Sequence, residues 1–149
     1  MYIYTSIAQS ENPMDQNPTY QETNKYQQVI LIDDDRITNI LSTRMLSKYA
    51  PDLSIEVFDD IDAAIAHVSK LTNPENYLIL LDLNFPIKSG WDFLEAYQHM
   101  TQKSNVVVLT SSIDESDKQR ALSYVTVRKF MSKPLNAMLI EQLKQLQKD

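Results

Sequence analysis

The chain has 149 residues, 43% of them hydrophobic, a size and apolar content that suit one globular domain with a proper core and no second one. Its formal charge of -6 and pI near 4.8 exclude a surface of clustered Lys and Arg of the kind nucleic-acid binding needs. The absence of cysteine excludes disulfides and thiolate metal sites, and the single glycine, Gly90, excludes glycine-rich phosphate loops and dinucleotide fingerprints.

Residues 1–26 are rich in Asn, Gln, Ser, Thr and Tyr, carry three acids to one lysine, and show no helical or strand period. They read as a flexible N-terminal tail, with Tyr2, Tyr4, Tyr20 and Tyr26 available to a partner. The tail lacks the charged and apolar regions of a signal peptide, and no apolar run approaches membrane-spanning length, so a cytoplasmic protein with no membrane contact is expected.

From Val29 onward, short β-type runs alternate with helical periods. Val29 to Ile32 form a first strand, followed by a helix whose apolar face is Ile37, Ile40, Leu41, Met45 and Leu46. Leu53, Ile55 and Val57 alternate as a second strand, and Asp59 or Asp60 caps a helix with Ile61, Ala64, Ile65, Val68 and Leu71 inward. The central strand, Tyr77 to Leu81, runs into Asp82 and then Pro86. Ser89 and Gly90 open a third helix with Phe93, Leu94 and Tyr97 inward. Val106 to Leu109 form the fourth strand, and Ser112 to Glu115 have capping-box spacing for a fourth helix ending at Leu122. A fifth strand lies between Val127 and Met131, and a final helix, capped by Asn136, shows Leu135, Met138, Leu139, Leu143 and Leu146. His67 and His99, lacking an acid partner, read as surface residues, and Trp91 as packing or surface. Five strands alternating with five helices imply an α/β fold with a parallel sheet covered on both faces.

In such sheets ligands bind at the carboxyl ends of the strands. Those ends carry Asp33, Asp34 and Asp35, then Asp82, then Thr110, Ser111 and Ser112, and finally Lys133 followed by Pro134. Acids, hydroxyls and an ammonium therefore meet at one edge. Asp35 is placed to cap the first helix, which leaves Asp33 and Asp34 as the pair opposite Asp82.

This set of strand-end residues resembles a response regulator receiver domain over about residues 27–149. The resemblance implies a flavodoxin-like doubly wound sheet of strand order 2-1-3-4-5, and the chain ends just past the fifth helix, so no output domain is expected. It implies that Asp82 is the phosphoacceptor and that Mg²⁺ is the cofactor. Asp34 and Asp82 would be direct ligands, Asp33 would act through a water, and the Asn84 backbone carbonyl would complete the set. Lys133, aimed by a cis bond to Pro134, would contact the phosphoryl group, and Thr110 would hydrogen-bond to it. Ser111, being small, would leave room for the phosphoryl group, while Asn84 and Ser112 flank the site and tune water access. Movement of Thr110 would let Phe130 on the fifth strand swing inward as a switch. Gly90 would take a positive φ before the third helix.

The function that follows is a stand-alone receiver taking phosphoryl groups from a histidine kinase or phosphotransfer protein. It would bind a downstream protein through helix four, strand five and helix five. It would not be an enzyme beyond catalysing its own phosphorylation and dephosphorylation. Two alternatives are a Mg²⁺-dependent aspartyl-phosphate phosphatase or phosphotransferase, and an interaction module that works without phosphate. The former usually needs a second acid two residues after the nucleophile, where this chain has Asn84.

Overall fold

Runs such as Tyr77-Leu78-Ile79-Leu80-Leu81 place apolar side chains on both faces of a strand, so they are stable only in a sheet covered on both sides. The structure, a computed structural model, describes residues 26–146 together with the backbone of residues 2–4 and 20–22. At the N-terminus β1 (Tyr2–Tyr4) pairs antiparallel with β2 (Tyr20–Glu22). The central sheet contains β3 (Gln28–Ile32), β4 (Ser54–Phe58), β5 (Tyr77–Leu81), β6 (Val106–Thr110) and β7 (Val127–Ser132). All are parallel, in spatial order β4-β3-β5-β6-β7. Numbered within that sheet alone, the order is 2-1-3-4-5, the flavodoxin-like doubly wound order expected.

Alternate residues of each central strand feed two separate cores. Val29, Leu31, Leu78, Leu80, Val107 and Leu109 pack under α1 (Arg36–Tyr49) and α5 (Ala137–Gln145). Ile30, Ile32, Ile79, Leu81, Val106 and Val108 pack under α2 (Ile61–Val68), α3 (Gly90–Tyr97) and α4 (Glu115–Leu122). Each fully buried aliphatic side chain contributes about 1.5–3 kcal/mol, so these layers hold the sheet rigid beneath whatever stands at its edge. On the α3–α4 side the Arg120 guanidinium lies 4.0 Å from the centroid of the Trp91 ring.

The helix starts are set by side chains. Asp60 caps α2, accepting from the Ala63 N–H at 2.8 Å, and Asn136 caps α5, accepting from Leu139 N–H at 2.9 Å. Loss of the first bond in Asp60→Ala is expected to lower the free energy of unfolding by about 1 kcal/mol. Urea denaturation reads it, and an unchanged midpoint would mean that the cap is not formed in solution.

Several expectations are corrected. The apolar face expected of α1 is divided: Leu46 is buried and Met45 packs against the α1–α5 core, but Ile37, Ile40 and Leu41 are 71%, 45% and 51% exposed, while Asn39 and Ser42 are buried. Periodicity marks a stripe without saying which face meets the sheet, and here a polar contact from Asn39 goes with the inward face. The cap of α4 is Asp114, which accepts from Ser116 N–H at 2.9 Å, because the helix starts two residues later than a Ser112 cap requires. Tyr26 is part of the folded unit, packed in the α1–α5 core with its hydroxyl accepting from Asn105 Nδ2, so a tail reaching residue 26 is too long. The β1–β2 ladder likewise replaces the expectation of no strand period there, since main-chain pairing needs no apolar alternation. The tyrosine side chains at positions 2, 4 and 20, and the expected flexibility of that stretch, lie outside the described residues. His67 has an acid partner after all, Glu56 Oε2 at 3.0 Å, because α2 packs back onto β4. Among the described residues no helix is long and apolar enough to cross a membrane.

Candidate phosphoacceptor and metal site

Parallel strands deliver all their carboxyl ends to one edge, and the ladder continues one residue past several of them. Asp33 N–H donates to the Phe58 carbonyl at 3.0 Å, Asp82 N–H to the Ile32 carbonyl at 2.9 Å, and Lys133 N–H to the Thr110 carbonyl at 2.9 Å. These main-chain bonds fix the positions from which the site's side chains project. The Lys133–Pro134 peptide is cis.

Asp33, Asp34 and Asp82 each offer a carboxylate oxygen, all within 4.8 Å of one another. Asp33 and Asp82 are buried, at 1% and 5% exposure, whereas Asp34 is exposed at the mouth. Lys133 Nζ reaches Asp33 Oδ2 at 2.5 Å and Asp82 Oδ2 at 3.2 Å. Asp33 Oδ1 accepts from Asp35 N–H at 2.9 Å, and Asp35 itself caps α1 through the N–H groups of Ile37 and Thr38. The structural role expected of Asp35 is therefore formed.

Burial pushes the Asp33 carboxyl above its ordinary value, against the hydrogen bonds from Lys133 and Asp35. Burial alone would depress Lys133, but its hydrogen bond to Asp33 and the negative charges of Asp82 and Asp33 outweigh it and hold the ammonium above its usual range. Three carboxylates facing one ammonium leave the cluster short of positive charge. Asp82 Oδ1 is buried and has no hydrogen-bond partner. An unpaired buried carboxylate oxygen is unfavourable unless something positive meets it. The all-oxygen donor set, the residual negative charge and this unpaired atom fit a hard divalent cation such as Mg²⁺.

Thr110 is fully buried at the end of β6, and its Oγ1 accepts from Ser112 N–H at 3.3 Å and from Asn84 Nδ2 at 3.4 Å. Asn84 is exposed on the loop after β5, so its amide bridges that loop to the β6 end; sequence reasoning did not foresee this contact. Ser111 is exposed, and Ser112 Oγ donates to Asp117 Oδ2 at 2.8 Å. Phe130 lies on β7 in register with Val108, half-buried against the α2–α4 core. Gly90 does not take a positive φ. Its constraint is proximity: a Cβ there would overlap the Asp82 carbonyl oxygen and come within 2.8 Å of Leu83 Cα.

Asn39 escaped notice as a site residue, because it sits in a helix whose apolar stripe drew attention to the other face. Its Nδ2–H donates to the Asp33 carbonyl at 2.7 Å. The visible signal was a polar residue embedded between Ile37 and Ile40, six residues past the first acid.

The family model described as response regulator receiver domain matches residues 29–145. A two-component response regulator from Cytophaga hutchinsonii has a similar solved structure, with 29% identity and a TM-score of 0.72 over 82% of this chain and 96% of that one. A response regulator receiver protein from Dyadobacter fermentans is similar at 25% identity and TM-score 0.71, over 80% of this chain and 96% of its own. Hybrid signal transduction histidine kinase D of Dictyostelium discoideum is 29% identical over 101 residues, 64% of this chain. The chain spans only 6% of that kinase's length.

Proposed function

The chain belongs to the response regulator receiver family of two-component signalling, and from that membership we propose that Asp82 accepts a phosphoryl group from a histidine kinase or phosphotransfer protein. The observation that carries the proposal is the buried, partnerless Oδ1 of Asp82 beside Asp33, Asp34 and Lys133. An Asp82 carboxylate oxygen forms the new P–O bond, the donor's P–N bond breaks, and its electron pair leaves with the imidazole. Asp34 and Asp82 would hold Mg²⁺ directly, Asp33 through a water, and the Asn84 main-chain carbonyl would complete the protein's share. When bound, the cation neutralises charge building on the phosphoryl oxygens. Lys133 needs only to release Asp82 and keep Asp33 to place its ammonium on a phosphoryl oxygen.

The signal then passes through Thr110, whose hydroxyl turns from Asn84 and Ser112 toward the phosphoryl group. Phe130, half-buried on the neighbouring strand, fills the space this leaves and alters the α4–β7–α5 face, where a downstream protein binds. The donor approaches over α1, which packs beside α5 on the same face of the sheet. Helix α1 has no acid, and its exposed Ile37, Ile40 and Leu41 stand among Arg36, Arg44 and Lys48. A groove of about 660 Å³ lined by Asp34, Arg36, Ile40, Arg44, Val57 and Asp59 joins that face to the acids. The protein acts in the cytoplasm and catalyses nothing beyond its own phosphorylation and dephosphorylation.

Incubation with acetyl phosphate and Mg²⁺, followed by intact mass measurement, tests this. One added phosphoryl group that disappears with EDTA treatment beforehand, and no turnover of a phosphomonoester, is the expected result. Sustained hydrolysis of such an ester would instead make the protein an enzyme, and no labelling from acetyl phosphate or a cognate kinase would make it a phosphate-independent module.

A further inference from the structure

Helix α1 packs Met45 and Leu46 against the core but turns Ile37, Ile40 and Leu41 to solvent, and presents Asn39 and Ser42 to the sheet. Burying Ile37, Ile40 and Leu41 in place of Asn39 and Ser42 would remove more apolar surface from water, so hydrophobic burial in the first turns does not select this orientation. A specific polar contact accompanies it. Asn39 is 9% exposed, its Nδ2–H donates to the Asp33 carbonyl at 2.7 Å, and its Oδ1 is buried with no partner. An acceptor buried and unpaired is unfavourable, so the amide is retained against stability.

We infer that Asn39 is a positioning residue of the acidic turn, fixing the peptide plane between Asp33 and Asp34 so that both carboxylates meet one cation. The inference rests on the metal-dependent phosphoacceptor reading of the same site. Because a peptide is planar, a bond to the Asp33 carbonyl also orients the Asp34 N–H and Cα beyond it. The Asp33 carboxylate has its own restraints in Asp35 N–H and Lys133. Asp34 stands outside the Lys133 pairing and is exposed, so its aim depends on the main chain that carries it. Outer contacts that orient metal ligands typically govern affinity by roughly 10–100-fold.

The test uses the full chain as wild type, Asn39→Leu, Asn39→Ala and Ser42→Ala, the last on the same inner face. Mg²⁺ affinity is read by calorimetry without phosphodonor, the thermal midpoint in EDTA, and acetyl phosphate labelling against Mg²⁺ concentration. Both Asn39 variants are expected to weaken Mg²⁺ binding about tenfold and to raise the half-saturating Mg²⁺ for labelling in step. Labelling at saturating Mg²⁺ and the EDTA midpoint should stay near wild type, with Ser42→Ala unchanged throughout. Either folded Asn39 variant suffices. The inference is overturned if a folded Asn39 variant binds Mg²⁺ within about twofold of wild type, or if Ser42→Ala weakens binding as much. A wild type that neither binds Mg²⁺ nor accepts phosphate overturns the phosphoacceptor reading as well, which separates the two failures.

Discussion

Asp82→Asn is expected to abolish phosphoryl uptake from acetyl phosphate completely while leaving the fold intact or more stable without divalent cation. An amide oxygen carries no full charge, so the variant lacks a nucleophile at the buried carboxylate whose Oδ1 is unpaired. The neighbouring acids do not replace it: Asp33 is tied to Asp35 N–H and Lys133, and Asp34 lies at the exposed mouth. The stability change follows from which charge interaction is larger. With an effective dielectric near 20, the Lys133 attraction at 3.2 Å is about 5 kcal/mol. Repulsion from two carboxylates within 4.8 Å amounts to about 3 kcal/mol or more each, and desolvation of Asp82 adds to it. Removing the charge therefore gains on the order of 1 kcal/mol, while Lys133 keeps its 2.5 Å contact with Asp33. Intact mass and urea denaturation in EDTA read the two halves. Retained labelling would move the acceptor to another side chain and remove the basis of the proposed function.

The parts of this fold that were legible beforehand are those where one interaction dominates. β5 and β6 are buried at every position, and a run of that kind fits only the middle of a covered sheet, so the parallel sheet and the edge carrying the acids followed, while the strand order rested on the family resemblance. The gathering of Asp33, Asp34, Asp82, Thr110 and Lys133 followed from parallel geometry, which sends every carboxyl end the same way. Where two weak preferences competed, sequence pattern was silent. Helix α1 has both an apolar stripe and a polar face carrying Asn39, and a contact to a carbonyl six residues back accompanies the choice between them. Ser112 and Asp114 are both good caps two residues apart, and only the start of the helix at Glu115 separates them. The Glu56–His67 pair and the Tyr26–Asn105 bond join residues distant along the chain, which no local period encodes.

Gly90 shows the same limit at the centre of the site, and it supports the second large effect. An invocation of left-handed backbone would make any L-residue costly there through strain, yet no glycine has positive φ. What the position lacks is space. Gly90 opens α3, its N–H closes onto the Leu83 carbonyl at 3.0 Å, and the helix start is thereby drawn against the two residues that follow β5. A methyl group at Gly90 meets main-chain atoms, the Asp82 oxygen and carbon and Leu83 Cα, not the yielding end of a side chain. Either α3 lifts from the sheet, exposing Phe93 and Leu94, or the Asp82–Leu83 backbone moves and carries the acceptor carboxylate away from Asp33 and Lys133. Gly90→Ala is therefore expected to lower the free energy of unfolding by about 1–3 kcal/mol, although alanine favours helix intrinsically. At this chain length that is a fall of about 2–12 °C in the thermal midpoint. Phosphoryl uptake should drop in the fraction that remains folded, because a sub-ångström tolerance at the acceptor is lost even where the domain survives. Urea denaturation and the initial labelling rate distinguish this from strain: a Gly90→Ala protein with wild-type stability and labelling would mean that the loop absorbs the methyl group and that closeness to Asp82 is not what the glycine provides.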